Sequence, residues 1–435
     1  YNGSEQFAKG RRYGFFPSVS AGYKISSESF WEPIKPVLNY FKLRASYGSL
    51  GNQNVANYLY LPIMPITSQV YWVSGEVRPI GVGAPGLVSS GLTWETVRTF
   101  NIGLDGATLG NRLDFNFDFF RRRVINMLGT SYPLPAVLGT SVPLENNAEK
   151  LNTGWEFSAG WNDKAGDFDY NFKVTLSDYL IEVTKWNNPN KTLSTTYVGQ
   201  HEGDIWGFES KGLFQSQEEI SKHANQSLIY ARWSPGDIKY EDLNGDGVIN
   251  YGNRTLDDHG DLKVIGNALP RYSYAFFGGA SWKNFDFNMF WMGVGKRDVW
   301  FSSSSNVFWG QLGNIWQNST FKEHLDYWSA DNPNGYYPRP YFSAEGNKNR
   351  EASSLYLQSA AFLRLKSLQV GYSFPQHFLD RIAVKKARIY FNAENLLTFS
   401  PIKRMFDPEG IFGTYGQGKV YPLSKIVSVG INVNF

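Results

Sequence analysis

RLDFNFDFFRRR, residues 112 to 123, alternates in polarity at every step of its first eight residues. Leu113, Phe115, Phe117 and Phe119 fall on one side of an extended chain, and Arg112, Asp114, Asn116 and Asp118 on the other. A repeat of two is the side-chain period of a β-strand, whereas a helix would scatter these residues around its axis. The stretch therefore predicts a strand with one greasy face and one wet face, closed by a basic cluster at Arg121, Arg122 and Arg123.

The same alternation recurs along the chain. Trp155, Phe157, Ala159 and Trp161 repeat it, as do Phe168, Tyr170, Phe172, Val174 and Leu176. Earlier, Phe15 to Tyr23, Phe41 to Tyr47 and Phe100 to Leu104 read alike. Later come Tyr272 to Phe276, Phe285 to Trp291, Leu368 to Phe374, Ile389 to Phe391 and finally Val427 to Phe435. About eleven strands result, several longer than the usual ~5 to 6 residues.

Composition agrees. Aromatic residues make up 17% of the 435 residues and glycines number 43, a balance that suits strands and turns. The chain has no cysteine, which excludes disulfides, thiolate metal sites and cysteine nucleophiles. A net charge of +3 is too small to mark a nucleic-acid partner. No apolar run reaches the ~18 residues of a membrane helix, and the opening YNGSEQFAKGRR lacks the apolar stretch of a secretion signal.

The connections carry the most information. Tight turns at 110–111, 165–167 and 283–284 alternate with long Gly-, Pro-, Ser- and Trp-rich segments at about 49–93, 129–150, 187–268, 301–359 and 400–422. Short turns at one end and long loops at the other are the layout of an outer-membrane β-barrel. A soluble β-sandwich or propeller would alternate equally well. Long strands, aromatics gathered on the apolar face and such long loops weigh against it. An odd strand count with two bare edges would not be viable in lipid, so the expectation is a piece of a longer barrel.

Several short stretches, in order, resemble the C-terminal part of SusC/RagA-type TonB-dependent transporters of the Bacteroidetes outer membrane. They are FPSVSAGYKIS (16–26), LRASYGSLGNQN (43–54), TWETVRTFNIGLD (93–105), LNTGWEFS (151–158), PGDIKYEDLNGDGVIN (235–250), FLRLKSLQVGYSFP (362–375), NLLTFSPIKRMFDPEG (395–410) and YPLSKIVSVGINVNF (421–435). The resemblance implies an all-β fold: an antiparallel transmembrane barrel of 22 strands around an N-terminal plug, of which residues 1–435 supply about half. It implies import of a large nutrient, glycan or oligopeptide, with a SusD-like lipoprotein as lid and TonB acting on the plug. The partners it implies are that lid, TonB, the remaining barrel and plug, and outer-membrane lipids. The long loops would be extracellular and the C-terminus periplasmic, with no enzymatic chemistry. The competing reading is a soluble or surface-attached carbohydrate-binding or adhesin module. No acidic pair can be nominated for a glycoside hydrolase.

Three sets of residues are candidate sites. DLNGDGVIN (242–250), on the expected outer loop 187–268, offers oxygens from Asp242, Asn244, Asp246, the Val248 carbonyl and Asn250, with Gly247 at the sharp turn of a calcium loop. Asn253 stands where a closing carboxylate belongs, with Asp257 or Asp258 as substitutes, and the alternative is a turn whose carboxylates accept backbone N–H groups. A structural calcium is the only cofactor in view. Trp72, Trp206, Trp233, Trp309, Trp316 and Trp328 fall in the long loops, either to contact cargo and lid or to build loop cores. Phe435, a terminal aromatic on an alternating strand, reads as an assembly signal or as one more interfacial aromatic. Arg112, Asp114, Asp118, Lys173, Arg364 and Lys366 are expected on the lumen side. The cluster Arg121 to Arg123 is expected near the long-loop end of its strand, facing anionic lipopolysaccharide or marking an exposed strand end.

Overall fold

Alternating side chains leave the backbone free to pair on both sides, and the chain uses this throughout. The computed structural model describes all residues except 69–79, 84, 90, 132–134, 136, 138–141, 304, 313–319, 383 and 413–418. Eleven strands form one antiparallel sheet in which each pairs with the next in the sequence. They are β1 (Ser18–Tyr23), β2 (Tyr40–Asn52), β3 (Glu95–Thr108), β4 (Leu113–Thr130), β5 (Leu144–Ala165), β6 (Phe168–Lys185), β7 (Arg271–Trp282), β8 (Phe285–Lys296), β9 (Phe362–Ser373), β10 (Lys386–Phe399) and β11 (Ile426–Asn434). The edges of the sheet are β1 and β11.

Register fixes the faces, because directly opposed residues point the same way. Leu43, Leu104, Phe117, Phe157 and Leu176 lie in one cross-strand row. Val429, Phe391, Val370 and Phe287 make another. On this face Tyr47, Phe100, Ile102, Phe172, Phe285 and Ile431 are all exposed. An apolar face running across a whole sheet has no place in water, so this is the lipid side. The opposite face carries Asn162, Asn171, Asn288, Gln369 and Asn392 in one row, a polar lumen wall.

Two-residue turns at Gly166–Asp167 and Lys283–Asn284 close one end of the sheet, together with the links 109–112, 24–39 and 374–385. Gly166 at φ 62° and Lys283 at φ 53° supply the left-handed backbone that tight hairpins need. At the other end the connections are 53–94, 131–143, 186–270, 297–361 and 400–425.

Two expectations need correcting. The loop read as 129–150 shrinks to 131–143, because β4 and β5 stay paired from Arg121↔Thr153 to Thr130↔Leu144. Apolar alternation stops at Phe119, but main-chain bonding needs no greasy side chains, so strands of 18 and 22 residues rise beyond the ~9 to 11 that cross a membrane. The first strand begins at Ser18 rather than Phe15, since Pro17 has no N–H to donate to a ladder.

The long connections have a core of their own. Phe208, Ile238, Tyr240 and Ile249 from 186–270 pack with Phe301, Phe308, Trp309, Tyr337 and Tyr356 from 297–361, and with Phe406 from 400–425. All but Phe406 are at most 1% exposed. Short strand pairs, Asp204–Phe208 with Leu262–Asn267 and Ser210–Leu213 with Ile238–Tyr240, satisfy backbone groups inside this platform.

Candidate functional site

The platform is held by packed rings and by a buried charge pair that joins its two longest connections. Trp309 meets Phe308 and Tyr356 edge-on at 4.8 and 5.1 Å, and its indole N–H donates to the Ser302 carbonyl at 3.0 Å. Lys348 Nζ lies 2.7 Å from Asp237 Oδ2, both side chains 0% exposed. Asp237 also accepts from Ser234 N, Tyr341 Oη and Asn349 Nδ2, and Lys348 donates to the Arg232 carbonyl. Burial alone would lower the ammonium's pKa, but the bonds and charge of Asp237 more than offset it and raise it above the ordinary lysine value.

Of the tryptophans nominated from sequence, Trp72 and Trp316 lie outside the described residues. Trp309 is buried in the platform core. Trp233 donates to the Tyr230 carbonyl at 2.7 Å, and Trp328 to Gln215 Oε1 at 3.0 Å. Trp206, which donates to the Tyr197 hydroxyl at 2.8 Å, borders a cavity of about 280 Å³ shared with Tyr251, Arg254 and Glu351. The structure therefore spreads Trp206, Trp233, Trp309 and Trp328 through the platform rather than gathering them into one stack.

In DLNGDG, Asp242 accepts from Gly245 N at 2.7 Å and from Gly247 N at 2.8 Å. Asp246 accepts from Val248 N and Asn244 Nδ2, and Asn244 Oδ1 from Asp246 N. Asn250 Oδ1 accepts from Gly252 N, and its Nδ2 donates to the Val248 carbonyl. These are local turn bonds in which the carboxylates accept backbone N–H groups, and each oxygen keeps a second lone pair. Among the described residues no group of three or more acidic or histidine side chains comes together as a metal-ligand set. Of the two substitutes, Asp257 pairs with Lys191 at 2.8 Å, whereas Asp258 folds back on the twelfth position and accepts from the backbone N–H and the Nδ2 of Asn253. A second carboxylate that folds back is Asp261, wholly buried, accepting from Leu243 N and Asn250 N at 2.8 Å each. Sequence reading missed it because it stands eleven residues beyond Asn250, outside any loop pattern.

On the lumen wall Arg44, not nominated from sequence, bridges Asp105 and Asp118, each at 2.8 Å. Arg364 pairs with Asp407 at 2.8 Å and with Glu409, and Lys366 reaches Glu409 at 3.2 Å, so strand β9 holds the stretch around Asp407 and Glu409 against the wall. Backbone bonds from Glu409 and Leu423 to Asp407, and its Arg364 partner, outweigh burial and keep the Asp407 carboxyl below its ordinary pKa. Arg112 sits in a turn, paired with Asp163 at 3.1 Å. Asp114 lies beside Gly160, and Lys173 is exposed opposite Phe277. Arg121 to Arg123 are mid-strand rather than near a strand end, since β4 continues to Thr130. Phe435 is 82% exposed, one residue past β11.

A meander with one face for lipid, one polar face and all its long loops at one end defines a section of an outer-membrane β-barrel. The chain belongs to the family described as TonB dependent receptor-like, beta-barrel, whose model matches residues 1–396. TonB-dependent receptor P3 of Formosa agariphila is 28% identical over all of this chain and 43% of that protein. TonB-dependent receptor SusC of Bacteroides thetaiotaomicron is 24% identical over all of this chain and 41% of its own length. Among solved structures, the RagAB peptide transporter superposes with a TM-score of 0.74 at 22% identity, covering 100% of this chain and 45% of that one. The chain thus spans less than half the length of the curated relatives it matches. These relatives are receptors and not enzymes, and the family places the chain in the outer membrane; membership sets aside the soluble adhesin.

Proposed function

We propose that the chain forms the C-terminal part of the barrel of an energised importer, which takes up a large nutrient, a glycan or an oligopeptide. A SusD-like lipoprotein seats on the loop platform as a lid, a plug fills the polar lumen, and TonB acts on that plug. The observation that carries this reading is the platform: loops built on a buried aromatic core present a fixed surface for a partner, which mobile loops could not. The likeness to TonB-dependent receptor SusC and to the RagAB peptide transporter supports it. The long loops face outside and the tight turns the periplasm. DLNGDG braces the platform, and a calcium ion held by Asp242, Asn244, Asp246, Val248 O and Asn250 would add to that brace.

The test is uptake in cells that carry the whole transporter. Fluorescent oligopeptides and oligosaccharides are offered in parallel, with and without a protonophore. The expected result is energy-dependent uptake of one class, lost when the transporter gene or the neighbouring lid gene is deleted. Uptake that ignores both deletions and the protonophore would overturn it.

A further inference from the structure

We propose that Arg98, Arg121 and Arg123 form a binding site for the phosphorylated headgroup of an outer-leaflet lipid. The inference rests on the proposed orientation, with the long loops outside.

Register puts the three guanidiniums together. Arg98 on β3 is directly opposite Arg123 on β4, and Arg121 is opposite Phe100. Two residues on, Phe119 is opposite Ile102, so the arginines share the face of the lipid-side aromatics. The neighbouring strands add hydroxyls at the same level, Ser49 opposite Arg98 and Thr153 opposite Arg121.

Charge calls for an anion there. Like charges directly opposed on a sheet repel. Glu149 bonds Arg123 at 2.7 Å, but among the described residues Arg98 and Arg121 have no acidic partner, and all three arginines are exposed. Unpaired guanidiniums beside an apolar wall are poorly hydrated and poorly screened, and an added phosphate relieves both.

Height selects a lipid headgroup. From Leu113 to Arg121, at ~3.4 Å per residue and a tilt of ~40°, the strand climbs roughly 20 Å across a band about 25 Å tall. The cluster therefore sits where hydrocarbon gives way to headgroups. Tyr47 and Phe100, level with Arg121, and Phe119 and Trp155 below it offer an apolar wall to acyl chains. Guanidinium forks match phosphate oxygens in pairs, which suits a phosphorylated glycolipid better than a zwitterionic lipid. Arg122 is a built-in control: it points to the other face, its guanidinium 5.9 Å from the centre of the Phe120 ring.

The test uses the whole transporter in mild detergent, titrated with phosphorylated lipid A and with its dephosphorylated form, bound lipid being read by native mass spectrometry. The expected result is retention of the phosphorylated form, weakened at least tenfold in R98Q/R121Q/R123Q and several-fold in R98Q alone. Retention is unchanged in R122Q and increased in E149Q, which removes the competing carboxylate. Equal retention by the triple variant, equal binding of the dephosphorylated lipid, or displacement by inorganic phosphate at matched concentration would overturn the proposal. Orientation is read separately, by labelling of Lys222→Cys on intact cells, so failure of that reading is distinguishable from failure of the site.

Discussion

The Lys348 ammonium and the Asp237 carboxylate meet at 2.7 Å with neither side chain reaching solvent. They join segments more than a hundred residues apart, so the pair acts as a clasp between the two largest loops. Removing one partner strands the other charge in a desolvated site, and breaking such pairs costs about 3–5 kcal/mol. K348M is expected to raise hydrogen exchange across 186–270 and 297–361 while the sheet keeps its protection. Exchange unchanged from wild type would show that the clasp carries no stability.

Trp309 tests the apolar part of the same platform. Its replacement by alanine empties a fully buried indole site, a change that costs about 3–5 kcal/mol. W309A is expected to expose the loops to protease while the barrel still inserts and keeps its folded mobility on unheated gels. Loss of insertion would mean that platform and barrel fold as one unit.

His324 makes the platform sensitive to acid. Its Nδ1 accepts from Phe321 N, and Nε2 faces the Val307 and Phe308 carbonyls, with Glu323 and Lys403 the charged groups nearby. Burial pushes its pKa below the ordinary 6.5. The folded state therefore binds fewer protons than the unfolded one, and the stability His324 contributes is full above about pH 6.5 and lost as pH falls toward its folded value. Proteolysis of 297–361 is expected to quicken at pH 5.5 relative to 7.5, and H324Q to flatten that dependence.

Asp261 separates the two readings of DLNGDG. Its carboxylate holds the part-buried amides of Leu243 and Asn250, and losing a hydrogen bond to a charged group costs about 1.5–3 kcal/mol. D261A is expected to loosen 242–253 with calcium present or absent. A calcium titration of wild type and D246N by calorimetry reads the ion itself: heat in the first and none in the second supports the proposed site.

Phe435 is proposed to act in assembly. Its deletion is expected to lower the amount of transporter in the outer membrane without changing the uptake per inserted molecule. Unchanged amounts would remove that role.

The sheet was legible because a strand's period is short and local: Leu113 to Phe119 declare a face with no help from distant residues. Glycine-bearing turns were legible for the same reason. The upper reaches of β4 and β5 were not, since Arg121 to Thr130 stay in the ladder without any alternation of polarity to announce it. The site was legible only where chemistry lies close in sequence. DLNGDG could be found by eye, whereas Asp261, Arg44 and the Lys348–Asp237 clasp act across distances that only the folded chain closes. The loop tryptophans were visible as residues, but the burial of Trp309 depended on partners far along the chain, such as Tyr337 and Tyr356.

The central claim is that this chain is barrel wall with its platform outside the cell. Single cysteines test it most directly in a cysteine-free whole transporter: Lys222→Cys on the platform and Asp167→Cys in a tight turn, probed with a membrane-impermeant maleimide. Both positions are exposed. Labelling is expected at 222 on intact cells and at 167 only after the outer membrane is opened. Labelling at 167 on intact cells, with 222 protected, would contradict it.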